Sequence, residues 1–302
     1  MDKMINWMPT VDIIVPCYNV ENIIFKCIKS LLLQSYDKNK IKIFLVNDGS
    51  TDKTGEILDS FSNESQITII HNNNNMSQAY TRNVGISKGK GEVICFLDSD
   101  MIVKTNWVDA HINILSNKKI VGVVGDQEAP RYKKETSFDR YLYNKRRGAR
   151  NFKEKFPISF QYFLFSNASL KRSVFNTINL FDEEFKNYGG EDTDLAIRIW
   201  EKFPHSLRFS RFAVCENHGE ENFDKFCIKM FQYGKTNIHL LIKKHPIYNK
   251  ELGFNYVHSI NGYLIFNPVI RCIVKFLRLI FDAYYLQRYV VIDSVVRGAR
   301  EN

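Results

Sequence analysis

Asp98-Ser99-Asp100 sets two carboxylates one residue apart, directly after the apolar run Glu92 to Leu97. At the tip of a buried strand, two such groups can reach one divalent cation, directly or through water. Mg²⁺ and Mn²⁺ take hard oxygen ligands of this kind and share them with phosphates. A polar strand-end turn has the same spacing, so the motif needs company. Glu191-Asp192 supplies some: it follows Gly189-Gly190 at the expected start of a helix. Carboxylates suit a helix N-terminus, and one of this pair can also serve as a general base. Asp194 is expected to face Arg198 at i+4 instead. His218 closely follows the strand-like run Leu207 to Val214 and offers a nitrogen ligand that suits Mn²⁺ beside carboxylates.

These groups need a frame that brings them together. Val11 to Pro16, Ile41 to Val46, Ile67 to His71 and Glu92 to Leu97 read as buried strands. Between them, Glu21 to Gln34, Lys53 to Phe61 and Ser77 to Lys88 have helical spacing, with Asp52 placed to cap the second. Alternation of this kind predicts an α/β fold, a mostly parallel sheet covered on both faces. Ligands of such sheets bind beyond the carboxyl ends of the strands. Polar clusters stand there: Cys17-Tyr18-Asn19, Asn47-Asp48-Gly49-Ser50 and Asp98-Ser99-Asp100. The tract Asn72 to Asn75 reads as a solvated loop. Further on, Ser159 to Phe165 resumes a strand pattern, Leu195 to Phe203 is helical, and the chain from Phe223 onward is helical.

The 302 residues are 44% hydrophobic and 14% aromatic, enough for a packed core. A net charge of +9 favours anionic partners: a sugar nucleotide, nucleic acid or acidic lipid headgroups. No nucleic-acid motif accompanies it. The six cysteines, Cys17, Cys27, Cys95, Cys215, Cys227 and Cys272, form no CxxC pair and are expected to be reduced, as in a cytoplasmic protein. The opening residues have no secretory pattern, and no apolar run is long enough to span a membrane.

The ordered motifs VDIIVPCYN, VNDGSTD, TRNVG, FLDSD and FDEEFKNYGGEDTDLAIR resemble the family-2 glycosyltransferases over roughly residues 10 to 235. The resemblance implies a GT-A type, Rossmann-like α/β fold over 1–235, with a nucleotide-binding half at 10–126 and an acceptor half at 127–235. Residues 236–302 then form a C-terminal helical extension. It implies an inverting, metal-dependent transfer from a UDP-sugar to a glycan, a lipid-linked sugar or a peptide. Pro16, Tyr18 and Asn19 are expected to line base and ribose, with Glu21 and Ser99 also on the nucleotide side. Asp48 is expected on the base, and Arg82 near the base or diphosphate. Asp98 is assigned to ribose and metal, Asp100 to the metal as main ligand, and His218 to the metal as a late ligand, the ion being Mn²⁺ or Mg²⁺. Asn167 and Gly190 are expected near the donor sugar. Asp192 is the expected base, with Glu191 beside it. Thr81, and a loop without glycine before TRNVG, depart from the family pattern and bear on base choice. The Gln-x-x-Arg-Trp motif of processive synthases is absent, which favours one sugar per acceptor.

Two alternatives stand beside this reading. One is a non-catalytic sugar-nucleotide-binding protein. The other is a nucleotidyltransferase, which would need a glycine- and lysine-rich loop where Cys17 to Glu21 stands. The basic stretch Arg131 to Lys155, with Tyr132, Lys133, Phe138, Tyr141, Tyr143 and Phe152 among its members, is either a solvated face or a lid over an acidic ligand. In the tail, Pro268 to Ile292 reads as one amphipathic helix with a polar stripe of Arg271, Lys275, Arg278 and Asp282. It is expected to lie on an anionic membrane, peripheral on the inner face, or to dock on its own domain or a second subunit.

Overall fold

Val11–Cys17 (VDIIVPC) has no polar face except at Asp12, and it becomes β1, buried along nearly its whole length. Apolarity on both sides is what a central parallel strand requires. In the computed structural model, which describes residues 7–130, 134–219 and 222–301, β1 joins one eight-stranded sheet. The other strands are β2 (Ile41–Asn47), β3 (Ile67–His71), β4 (Val93–Leu97), β5 (Met101–Val103), β6 (Gly122–Glu128), β7 (Asn167–Lys171) and β8 (Leu207–Asn217). Their order is β3-β2-β1-β4-β7-β6-β8-β5. The first four in space are parallel, as are β6 and β8, whereas β7 runs antiparallel between β4 and β6, and β5 antiparallel to β8.

The helices are α1 (Ile24–Leu32), α2 (Thr54–Asp59), α3 (Gln78–Lys88), α4 (Trp107–Leu115), α5 (Ser137–Leu142) and α6 (Glu191–Lys202). After them come α7 (Phe223–Lys235), α8 (Asn237–Lys244), α9 (Asn255–His258), α10 (Ile260–Ile265), α11 (Pro268–Ile280) and α12 (Tyr284–Arg300). The period of two along β1 sorts its side chains. Ile13, Val15 and Cys17 pack with Ile24, Ile28 and Trp107 on one face of the sheet. Ile14 packs with Ala79, Ile86, Phe96 and Leu195 on the other. Asp12 is buried yet satisfied, accepting from Gly91 N at 2.6 Å and from Arg172 Nη2 at 2.5 Å. All six cysteines are free thiols, and burial pushes those of Cys17, Cys27, Cys95 and Cys215 far up.

Three expectations change. Ser159 to Phe165 is not a strand: Phe160–Tyr162 is a 3₁₀ turn, and the strand begins at Asn167. Phe160, Phe163 and Phe165 are apolar for the packing between sheet and α6, where Phe165 sits edge-on to Phe96 and Phe181. Strands β5 and β6, which carry weak alternation, were not expected. The tail helix breaks after Ile280, and Asp282 falls in the gap instead of extending the stripe of α11. There its carboxylate accepts from Ser137 Oγ and Gln287 Nε2 and pairs with Arg140. Arg131, Tyr132 and Lys133 lie outside the described residues. No helix among those described is long and apolar enough to cross a membrane.

The C-terminal helices are not a loose appendage. α12 lies along α7, and glycines set the closeness: a Cβ on Gly298 would stand 2.0 Å from Phe231 O, and one on Gly234 2.1 Å from Val295 O. Gly298→Ala should therefore destabilise the protein by about 1–3 kcal/mol, read as a lower urea midpoint. In an uncrowded helix the same change gains about 1 kcal/mol, so a midpoint that rises or stays would refute the close packing.

Candidate active site

Because β1 and β2 are parallel and in register from Val11↔Ile41 to Cys17↔Asn47, their polar tips end side by side. The tips are stitched to each other. Asp48 N donates to Cys17 O, Asn19 N to Ser50 Oγ, and Thr51 N to Asn19 Oδ1 at 2.8 Å. Asn19 adopts φ +50°, a conformation asparagine tolerates. The carboxylate of Glu21 accepts from Lys53 N at 2.8 Å, while Asp52 receives Glu21 N and Thr54 N. Asp48 is buried, with Oδ1 accepting from Asn72 Nδ2 and Met76 N and Oδ2 from Ser77 N. So Asn19, Glu21 and Asp48, expected to contact nucleotide, are engaged in shaping the loops that follow β1 and β2. Asn72, expected only as a solvated loop residue, is one of the clasps. Gly49 is indispensable here: at φ +69°, its Cβ would lie 2.5 Å from the backbone of Asn74. Tyr18 alone of this group offers a large exposed side chain, while Pro16 stays in the strand and Ser99 is buried.

A second cluster forms where α3, the end of β4 and the start of α6 meet. Arg82, 1% exposed, donates from Nη1 to Asp192 Oδ1 at 2.5 Å and to Glu191 Oε1 at 3.4 Å, and from Nη2 to Asp98 Oδ1 at 3.3 Å. Its guanidinium also lies over the Phe181 ring, 5.2 Å from the centroid. Burial works against the charge of Arg82, but the carboxylates Asp192, Asp98 and Glu191 outweigh it and raise its pKa. Burial also raises Asp98, with Arg82 opposing and Asp192 adding to the rise. Glu191 is pushed up most, by burial first and the neighbouring Asp192 second. Asp192 has its other oxygen on Phe165 N at 2.9 Å. Gly190, at φ +101°, opens α6 and turns the acidic pair inward; a Cβ there would strike Phe185. These groups line a cavity of about 330 Å³ with Gln78, Tyr188 and Tyr233. Gln78, which donates to Asp98, was missed by the sequence reading, although its place at the first turn of α3 beside a capping serine was a signal.

The two carboxylates of Asp98-Ser99-Asp100 part company. Asp98, expected at ribose and metal, meets Arg82 and Gln78 with its Oδ1. Asp100 instead lines a larger cavity of about 790 Å³ with His218, Asn217, Tyr143, Lys225 and Lys229. His218 N donates to Asp100 O at 2.9 Å, which ties the end of β8 to this turn. Gly219 leaves room for the carboxylate, since a Cβ there would stand 2.5 Å from Asp100 Oδ2. No three His, Cys, Asp or Glu side chains among the described residues cluster as a complete cation site. A carboxylate and an imidazole facing one roomy cavity nonetheless suit Mn²⁺, which draws its remaining ligands from phosphate and water. The donor set fits the ion.

Asn167 is a correction. It is fully buried, its Oδ1 accepting from Trp107 Nε1 at 2.8 Å and its Nδ2 donating to Asp126 O and Ala213 O. A strand β7 running back through the sheet puts it in the core. Its neighbour Ser166 does line the cleft. The basic stretch is partly paired: Arg150 Nε meets Asp126 at 2.5 Å and Arg147 lies over Tyr141. Asp194 pairs with Arg198 as expected, and also accepts from His245.

This architecture has solved counterparts. A mannosyltransferase from Pyrobaculum calidifontis, in complex with GDP-Man and Mn²⁺, is similar with a TM-score of 0.70 at 17% identity, over 98% of this chain and 89% of that one. TarS 1-349 of S. aureus in complex with UDP-GlcNAc is similar with a TM-score of 0.58 at 15% identity, over 97% and 91% of the two chains. They show the GT-A fold. Among sequences, glycosyltransferase AglE of Haloferax volcanii is 27% identical over 247 residues, 78% of this chain and 75% of its own length. Glycosyltransferase GlyG of Streptococcus pneumoniae is 37% identical over 117 residues, and the match spans only 38% of each protein. A model described as N-terminal domain of galactosyltransferase matches residues 147–219. The Glycosyl transferase family 2 model matches residues 12–178, more than half of the 302 residues, and the chain belongs to that family.

Proposed function

We propose that this glycosyltransferase moves one sugar from a UDP-sugar to an acceptor hydroxyl with inversion, Asp192 serving as base. The observation that carries the reading is one cleft in which Asp98, Glu191 and Asp192 converge on Arg82, beside a cavity faced by Asp100 and His218. The acceptor oxygen attacks the anomeric carbon, the bond to the diphosphate breaks, and the acceptor proton passes to Asp192. Asp100 and His218 would hold Mn²⁺ or Mg²⁺. When bound, the cation neutralises charge on the leaving diphosphate. Lys225 and Lys229 line the same cavity and add positive charge.

The choice between the two acidic neighbours follows from burial. Glu191, its side chain 6% exposed against 16% for Asp192, is the more buried of the two, and burial and the neighbouring Asp192 raise its pKa. Its contact with Arg82 gives it a positioning role, and the more open Asp192 is left as the base. Asp192 is oriented by Arg82 and by Phe165 N. Bound GDP-Man and UDP-GlcNAc in the two structural counterparts leave the base open, and the loop at Asn75 to Gln78 bears on it. Glycans, lipid-linked sugars and peptides are the acceptor classes, and free thiols suit the cytoplasmic side.

A screen of UDP-, GDP- and dTDP-sugars with Mn²⁺ or Mg²⁺ should show metal-dependent turnover of at least one donor. Neither binding nor turnover with any of them would sink the reading. Asp192→Asn should lower transfer by about 10²–10⁴-fold and leave donor affinity within a few fold. Loss of both together would make Asp192 a binding residue. For Glu191, a folded-state pKa raised above 4.5 means stability present at low pH and lost as pH climbs through about 8. Glu191→Gln lacks that titration, so its Tm should gain on the wild type across this window. Parallel Tm profiles would show Glu191 to be ionised throughout.

A further inference from the structure

α11 is mounted with Arg271 and Arg278 of its polar stripe inward and Lys275 exposed. Arg271 donates from Nε to Asp293 of α12 at 2.6 Å, Arg278 lies 3.7 Å from the centroid of Phe223 in α7, and Val274 between them is buried. The opposite stripe carries Val269, Ile273, Phe276, Leu279 and Ile280, which are 53–85% exposed. Their spacing is that of a helix face built to be covered. Ile260, Tyr263 and Leu264 of α10 and the pair Phe281 and Tyr285 after α11 are exposed as well, 53–80%. Monomeric soluble proteins rarely leave so many large apolar side chains uncovered on neighbouring elements. Docking on its own domain is thus accomplished by the polar side, and the apolar side faces outward.

We infer that this outward face of α10 and α11 docks the protein on the surface of an anionic lipid bilayer, with the helices lying in the interface. The helices are too short and too polar on one side to span, which leaves the in-plane mode. Charge chooses the occupant. Between Leu252 and Ile292 the Lys and Arg residues are Arg271, Lys275, Arg278 and Arg288, and the one acid is Asp282, tied to Arg140 and Ser137. Lys275 and Arg288 are exposed on α11 and α12, and acidic headgroups complement them. Exposed Tyr263 and Tyr285 suit the headgroup level. The docking face also adjoins the cleft, because Asp282 and Gln287 hold Ser137 of α5, which lines the large cavity.

The test is co-sedimentation of the full chain with vesicles of phosphatidylcholine alone and of phosphatidylcholine with phosphatidylglycerol in a three-to-one ratio. The expected result is binding to the anionic vesicles, weakened by salt, and little to the neutral ones. The double change Phe276→Ser and Leu279→Ser should cut partitioning at least tenfold, since it removes two large apolar side chains from the docking face. Thermal melting checks that this variant folds. If it does not, Lys275→Glu with Arg288→Glu should cut partitioning instead. No sedimentation with anionic vesicles, or variants that partition like the wild type, would overturn the inference. So would a lipid-free dimer, seen by light scattering, that either variant converts to monomer.

Discussion

A single buried cation organises the centre of this molecule. Arg82 of α3 is surrounded by Asp98, from the end of β4, and by Glu191 and Asp192, from the start of α6. Leaving one member of a buried ion pair without its partner costs about 3–5 kcal/mol. The guanidinium therefore ties α3 to the end of β4 and to the start of α6. It also explains why Arg82, expected near base or diphosphate, is nearly inaccessible: it sets the charge and orientation of the carboxylates that face the cleft. Three acids on one base leave an excess of negative charge, and burial together with the neighbouring Asp192 raises the pKa of Glu191 against it.

Around this centre, the loops that follow β1 and β2 act as a clasp. Asp48 gathers Asn72, Met76 and Ser77, and Asn19 and Glu21 fasten the neighbouring turn. Polar side chains at strand ends have thus two functions that look alike in a sequence. Some face a ligand, and others satisfy backbone amides that a solvent-poor loop would leave orphaned. The division of Asp98 from Asp100 is the same effect within one motif. Successive turns of a strand-end loop direct the two carboxylates into separate cavities, one toward Arg82 and one toward His218.

The C-terminal helices extend the argument to the surface. Gly234 and Gly298 allow α7 and α12 to touch backbone to backbone, and α12 then offers Asp293 to Arg271. That ion pair fixes the rotation of α11 about its axis. Once Arg271 and Arg278 are claimed by the interior, the apolar stripe has nowhere to go but outward.

Much of the fold was legible in the sequence because it rests on local periodicity. The runs VDIIVP, IKIFLV and VICFL are apolar without alternation, and only a strand covered on both faces makes use of that. The intervening helices repeat at 3.6, and the ordered polar tips marked the cleft and the family. Asp194 facing Arg198 was legible too, being an i,i+4 contact. The sequence did not reveal that Asn167 belongs to the core, that Phe160 to Phe165 is a packed turn, or that the tail helix breaks at Asp282. Each depends on partners far away in the chain: Trp107 and Ala213 for Asn167, Phe96 and Phe181 for the aromatic turn, Ser137 and Arg140 for Asp282. Amphipathicity could announce that α11 has two unlike faces, but which face meets the protein depends on tertiary partners, since neither Asp293 nor Phe223 lies within its own turns.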